Sequence, residues 1–95
     1  MPCVTVTVRN PSGLHARPAA TFVKAAAAYA TDVRITNLTR DAARSASAKS
    51  ILGVMGLGVS QGHELQIEAD GEDAERAVAE LAALVEGGLG ESLPA

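Results

Sequence analysis

The apolar residues of this sequence switch between two periods, and the order of the switches constrains the fold more than any single residue does. In "CVTVTVRN" Val4, Val6 and Val8 alternate with Thr5 and Thr7, the pattern of a strand with one buried face. "PSG" breaks it. From residue 16 to about 29, Ala19, Phe22, Val23 and Ala26 recur at i, i+3, i+4 and i+7, which is one face of a helix. Pro18 falls in its first turn, where a missing N–H does least harm. Alternation returns through Val33 and Ile35 in "DVRIT", and through Leu65, Ile67 and Ala69 in "HELQIEA". Between them, residues 38–47, "LTRDAARSAS", follow neither period, and a turn with a short edge strand is expected. Ser50 is a helix start signal, and the glycines at 53, 56 and 58 limit that helix to about residues 51–55. Last, acids open "DGEDAERAVAELAALVEGG" and Ala74, Ala77, Val78, Leu81, Leu84 and Val85 share one face before Gly87 and Gly88.

The order is strand, helix, strand, weak strand, short helix, strand, helix. Four strands and three one-faced helices predict an α+β, open-faced β-sandwich. Its four-stranded, mainly antiparallel sheet is covered on one face by helices, in the order βαββαβα. The 95 residues suit one domain, with residues 1–88 structured and 89–95 a C-terminal tail. Although 47% of residues are hydrophobic, only Phe22 and Tyr29 are aromatic. Alanine and valine must therefore fill the core, which works when helices lie close on the sheet.

Charge and cysteine narrow the function. Residues 1–50 carry a net +5 and residues 51–95 a net −8, within an overall −3. No basic cluster is interleaved with stacking aromatics, so nucleic acid is a poor partner. A basic face near His15 would suit an acidic protein partner, but composition alone favours charges that merely solvate a surface. Cys3 is the single cysteine, which excludes an internal disulfide and a cysteine-based zinc site; it is expected to be half-buried and inert. No charged-then-apolar leader opens the chain and no apolar run approaches 18 residues, so a cytoplasmic protein without membrane insertion is expected.

One histidine stands out. In "SGLHARPAA" His15 directly precedes the first helix. The first amides of a helix lack internal partners and carry a partial positive charge, so a phosphoryl group on the imidazole would meet donors there. Arg17 adds a guanidinium suited to phosphate oxygens. His15 and His63 lack spaced ligand partners, and no serine-histidine-acid set is visible. Metal binding and acid–base catalysis are therefore disfavoured, and no cofactor is expected. Taken bare, "GLHAR" fits a histidine that caps or packs better than a phosphoryl acceptor, and spacing alone does not overturn that reading. His63 is expected to be a surface residue at a strand start.

Two longer stretches decide between these readings. "NPSGLHARPAATFVKAAAAY" and "KSILGVMGLGVSQGHELQIEADGEDAERAVAEL" resemble HPr, the histidine-containing phosphocarrier family of the bacterial phosphotransferase system, over nearly the whole chain. The resemblance implies a non-enzymatic, monomeric sugar-transport carrier. His15 would accept phosphate from phosphorylated enzyme I and pass it to IIA domains of sugar permeases. Arg17 would hold the anion, and Ser12 would hydrogen-bond the imidazole or its phosphate. Ser50 would be the regulatory target of an HPr kinase/phosphorylase. Ile51, Leu52 and Met55 would centre a docking face ringed by Arg17, Lys24 and Lys49 and flanked by Ala20, although Ile51 fits the core nearly as well. Alternatives are a regulatory carrier of the nitrogen-related or dihydroxyacetone-kinase branch, or a phosphorylation-independent binding module. Residues 38–47 look longer and more polar than the family hairpin, and Ser47 replaces a common asparagine.

Overall fold

The computed structural model describes residues 2–91. In chain order the elements are β1 (Cys3–Thr7), α1 (Ala16–Ala27), β2 (Asp32–Asn37), β3 (Ser45–Ser47), α2 (Ile51–Gly56), β4 (Glu64–Asp70) and α3 (Ala74–Glu86). The strands form one sheet in the order β1-β4-β2-β3, and every neighbouring pair is antiparallel. This is the expected open-faced sandwich.

Register follows from the period-2 patterning, because a slip of one residue would turn each apolar row to the outer face. Val4 pairs with Ile67, Ile67 with Ile35, and Ile35 with Ala46. One apolar row thus crosses all four strands under the helices. Val6 opposite Leu65 and Val33 opposite Ala69 extend it. On the other face the sheet shows threonine, glutamine and charged side chains.

The helices cover this row with the stripes read from their sequences. In α1, Pro18, Ala19, Phe22 and Ala26 are buried, and Val23 packs at the margin. Phe22 is fully enclosed; burying a side chain of that size contributes roughly 1.5–3 kcal/mol. In α3 the buried set is Ala74, Ala77, Val78, Leu81, Ala82 and Val85. Leu84, expected inside, sits at the edge and Ala82 takes the inner position. The stripe of α3 is centred so that alanine faces the sheet, which permits close approach. Tyr29 ties α1 to α3 through a hydrogen bond to Glu80 and a cation–π contact with Arg76, whose guanidinium lies 5.5 Å from the ring centre.

Three expectations are corrected. The chain does not become a tail at residue 89: Leu89 is buried, and the Leu89 amide donates to the Leu84 carbonyl at 3.1 Å. Left-handed backbone at Gly88, Leu89 and Gly90 turns the chain back against the body after α3. Cys3 is exposed rather than half-buried, because it falls on the outward phase of β1. His63 is not a bare surface residue. Its Nδ1 accepts from the Ser60 amide at 3.1 Å and faces Nδ2 of the buried Asn37 at 3.0 Å. Asn37 Oδ1 accepts from the amides of Thr39 and Arg40, so the pair pins the end of β2 to the loop before β4.

Candidate functional site

The segment that carries His15 is nailed down on its N-terminal side by backbone hydrogen bonds. Val8 and the loop before β4 exchange two bonds: the Val8 amide donates to the His63 carbonyl at 2.9 Å, and the Gly62 amide to the Val8 carbonyl at 2.7 Å. A turn follows, closed by the Gly13 amide on the Asn10 carbonyl at 3.1 Å. Gly13 is left-handed with φ +59°, and the fully buried Leu14 donates its amide to the Val59 carbonyl at 3.0 Å. His15 then emerges from a fixed point.

His15 has extended backbone (φ −125°, ψ 156°) and its side chain caps none of the α1 amides. It is half-buried, so the ring is neither sealed in the core nor spent on capping. Ala16, next in the chain, has φ +50°, a left-handed conformation that costs a residue with a Cβ about 1–2 kcal/mol. The anchored Leu14 before it and the buried Pro18 after it bracket this kink. Arg17 is exposed beside it, and its carbonyl accepts from the Thr21 hydroxyl at 3.0 Å.

Ser12 is engaged differently from the expectation. Its hydroxyl donates to Glu91 Oε2 at 2.9 Å and its amide to Glu91 Oε1 at 3.1 Å. Asn10 Nδ2 adds a 2.9 Å bond to the same Oε1 and a second 2.9 Å bond to the Gly13 carbonyl. These donors hold the Glu91 carboxyl below its ordinary value. The Asn10 bond contributes most, then the Ser12 amide and hydroxyl, with the Arg17 charge assisting. Asn10 and Glu91 were not legible as site residues. Asn10 reads as a turn former, and Glu91 follows the last periodic segment.

Ser50 is exposed and caps α2, its Oγ accepting from the Gly53 amide at 3.1 Å. Gly53 leaves space for that geometry, since a Cβ there would approach Ser50 Oγ to 3.2 Å. Beyond the cap, Val54 is buried while Ile51, Leu52 and Met55 are 39%, 82% and 39% exposed. All three therefore lie outside the core, Ile51 included. Ala20 and Lys24 are exposed on α1, which packs beside α2. Lys49 is not a free rim charge: its Nζ donates to the Tyr29 carbonyl at 2.6 Å, bracing the end of α1 against the start of α2. Residues 38–47 form turns leading into β3, with Arg34 reaching Ser45 across the edge pair at 3.1 Å.

A four-stranded antiparallel sheet lies under three helices, and at the start of the first stands a histidine whose side chain makes no cap. The model of the PTS HPr component phosphorylation site family matches residues 3–87. The chain belongs to the HPr family. It is 46% identical over 74 residues to phosphocarrier protein HPr of Haemophilus influenzae, covering 78% of this chain and 82% of that one. It is 43% identical over 91 residues to the multiphosphoryl transfer protein of the same organism, covering 96% of this chain but 18% of that protein. The chain thus spans about a fifth of the length of such multiphosphoryl relatives. The crystal structure of HPr from Thermoanaerobacter tengcongensis superposes with a TM-score of 0.89 at 41% identity, over 98% of this chain and all of that one.

Proposed function

We propose that His15 is the phosphoryl acceptor of a phosphotransferase-system carrier, charged by phospho-enzyme I and discharged to IIA domains of sugar permeases. The observation that carries this reading is a half-exposed imidazole that makes no cap, held at the entry to α1 by an anchored turn, with Arg17 exposed beside it. A neutral imidazole nitrogen attacks phosphorus in line. The P–N bond to the donor histidine breaks as the P–N bond to His15 forms, and the three equatorial oxygens carry the charge. Arg17 and the first α1 amides stabilise that charge in both directions. The reaction needs no metal, and the setting of these partners is the cytoplasm.

The face made by Ile51, Leu52 and Met55 is the proposed docking centre, with Arg17, Lys24 and Ala20 around it. Exposed apolar side chains on a short helix beside basic residues fit a partner with an acidic rim. Ser50, at the edge of that face, is the proposed target of an HPr kinase. Esterification of its hydroxyl would place about two negative charges where an acidic partner docks.

Incubation of the chain with enzyme I and phosphoenolpyruvate tests the assignment. Acid-labile, alkali-stable phosphate on the wild type, absent from His15→Ala, is expected. Labelling that survives His15→Ala removes the assignment, and no labelling at all favours a phosphorylation-independent binding module. Transfer onward to a sugar-branch IIA domain separates this carrier from the nitrogen-related and dihydroxyacetone-kinase branches.

A further inference from the structure

Two exposed arginines of the β2–β3 hairpin lie across the end of α2, on ground that glycine leaves clear. A Cβ at Gly56 would stand 3.6 Å from an Arg44 guanidinium nitrogen, and one at Gly58 would collide with the Arg40 guanidinium. The hairpin that carries them is fixed at its base. The Thr39 and Arg40 amides donate to Asn37 Oδ1, the Asp41 amide donates to the Asn37 carbonyl at 3.0 Å, and the Glu64 amide donates to the Thr39 hydroxyl at 2.8 Å. Asp41, the acid of the hairpin, spends its Oδ1 on the Ala43 amide at 3.1 Å. Among the described residues the side-chain ion pairs all belong to Arg76, so Arg40 and Arg44 stand there without a carboxylate partner. Leu52 and Gly56 are four residues apart on α2 and share a face. Arg44 therefore borders the side of α2 that shows Leu52, 82% exposed, and its neighbour Met55. Gly58 directly precedes Val59, whose carbonyl accepts from the Leu14 amide. Arg40 thus sits on the segment that also anchors the turn before His15.

We propose that Arg40 and Arg44 are a basic arm of the α2 docking face that takes carboxylates of an acidic protein partner. The inference rests on the reading of Ile51, Leu52 and Met55 as the docking centre and extends it to the hairpin. Arginine beside exposed methionine and leucine suits a protein interface, where arginine and methionine are both enriched. Each guanidinium offers paired N–H donors to a carboxylate. Arg17 and Lys24 stand on α1 and the two arginines on the hairpin, and α2 packs against both α1 and β3. An acidic rim on the partner is then gripped on two sides of its apolar contact. A cation near the last carbonyls of α2 also complements the helix dipole. That contribution acts on folding rather than on binding, and the two are separable.

The test is calorimetric binding of the full chain to enzyme I at low and high salt, with urea unfolding of the same samples. Wild type, the Arg40→Gln/Arg44→Gln pair, the Arg40→Lys/Arg44→Lys pair and Leu52→Ala are compared. The glutamine pair should bind about tenfold more weakly than the wild type at low salt, the size of two exposed ion pairs. The difference should close at about 1 M salt, where the Debye length is about 3 Å. The lysine pair keeps both charges and should stay within about threefold of the wild type. Urea midpoints of both pairs should match the wild type. Equal affinity in the wild type and the glutamine pair, a loss that salt does not reduce, or a lowered midpoint with no loss of affinity overturns the proposal. If Leu52→Ala is weakened and the glutamine pair is not, docking on α2 stands and the arm alone falls. If Leu52→Ala binds as the wild type does, or the wild type fails to bind, the docking reading falls and the arm with it. Inorganic phosphate that shifts the Arg40 and Arg44 Nε resonances, beside equal enzyme I affinity in the wild type and the glutamine pair, assigns the arginines to a small anion and overturns the proposal as well.

Discussion

Gly13 approaches Val59 so closely that a Cβ at residue 13 would lie 2.3 Å from the Val59 carbonyl oxygen, the same oxygen that accepts from the Leu14 amide at 3.0 Å. The obstacle is backbone on both sides, and φ at Gly13 is +59°. Gly13→Ala therefore combines a left-handed penalty with a clash that only movement of the loop relieves. It is expected to destabilise the protein by about 2 kcal/mol or more, read from the urea midpoint. Phosphate acceptance at His15 should fall even where the variant is still folded, because the turn that aims the imidazole has moved. Wild-type stability in this variant would mean that the loop yields freely.

Leu52 and Val54 belong to the same short helix but face opposite ways. Leu52→Ala should change unfolding free energy by less than about 0.5 kcal/mol, since the side chain is 82% exposed. The same substitution should weaken binding to enzyme I about tenfold, as loss of a central apolar contact does. Val54→Ala should do the reverse, destabilising by about 2 kcal/mol through an unfilled core position while leaving the docking surface in place. Calorimetric binding beside urea unfolding separates the two effects.

Ser50 is a cap before it is anything else. Ser50→Ala removes the acceptor of the Gly53 amide and should cost about 1 kcal/mol. Ser50→Asp preserves the capping oxygen and adds a negative charge beside the exposed apolar residues. It should retain near wild-type stability and lose affinity for an acidic partner, with the loss shrinking as salt is added. Loss of stability equal to that of Ser50→Ala would show that the cap, not the charge, is at issue.

Glu91 makes the site sensitive to acid. Its carboxyl is held below the ordinary 4.5 by Asn10 first, then by Ser12, with Arg17 assisting. The unfolded chain, with the higher value, binds the proton first as pH falls. The contribution of this contact to stability is thus complete above about pH 4.5 and is lost as pH drops through the lower native value. A carbon-13 titration of the Glu91 carboxyl should show the depressed midpoint. Ser12→Ala should raise it towards 4.5, and an unchanged midpoint there would show that Ser12 does not bind the carboxylate in solution.

Most of the architecture was legible because period-2 and 3.6-residue patterning report directly which face of an element is buried. The apolar faces of β1, β2 and β4 were read residue by residue; in α1 Val23 moved to the margin and Pro18 inside, and in α3 Ala82 took the inner position expected of Leu84. The short β3 carried no such signal; it exists because β2 offers an edge, the Arg34, Ile35 and Thr36 positions pairing with Ser47, Ala46 and Ser45. The position of His15 and Arg17 at the helix start was legible, but local spacing alone did not separate a phosphoryl acceptor from a capping histidine. The engagement of Lys49 with the Tyr29 carbonyl was not, because a lysine between two elements reads as a surface charge until both partners are placed.

What the chain alone determined is the set of buried faces, the start of α1 directly after His15, and the serine cap on α2, all of which depend on neighbours within a few residues. Tertiary structure decided what meets across distance. It set the Val59 carbonyl against Gly13, His63 against Asn37, and Glu91 on Ser12 from the far end of the described chain. Those contacts depend on where the turn after α3 returns to the start of α1, and local propensity carries no information about that meeting. Hydrogen-bond donors left open by one turn are satisfied by whichever acceptor the packed core delivers to them.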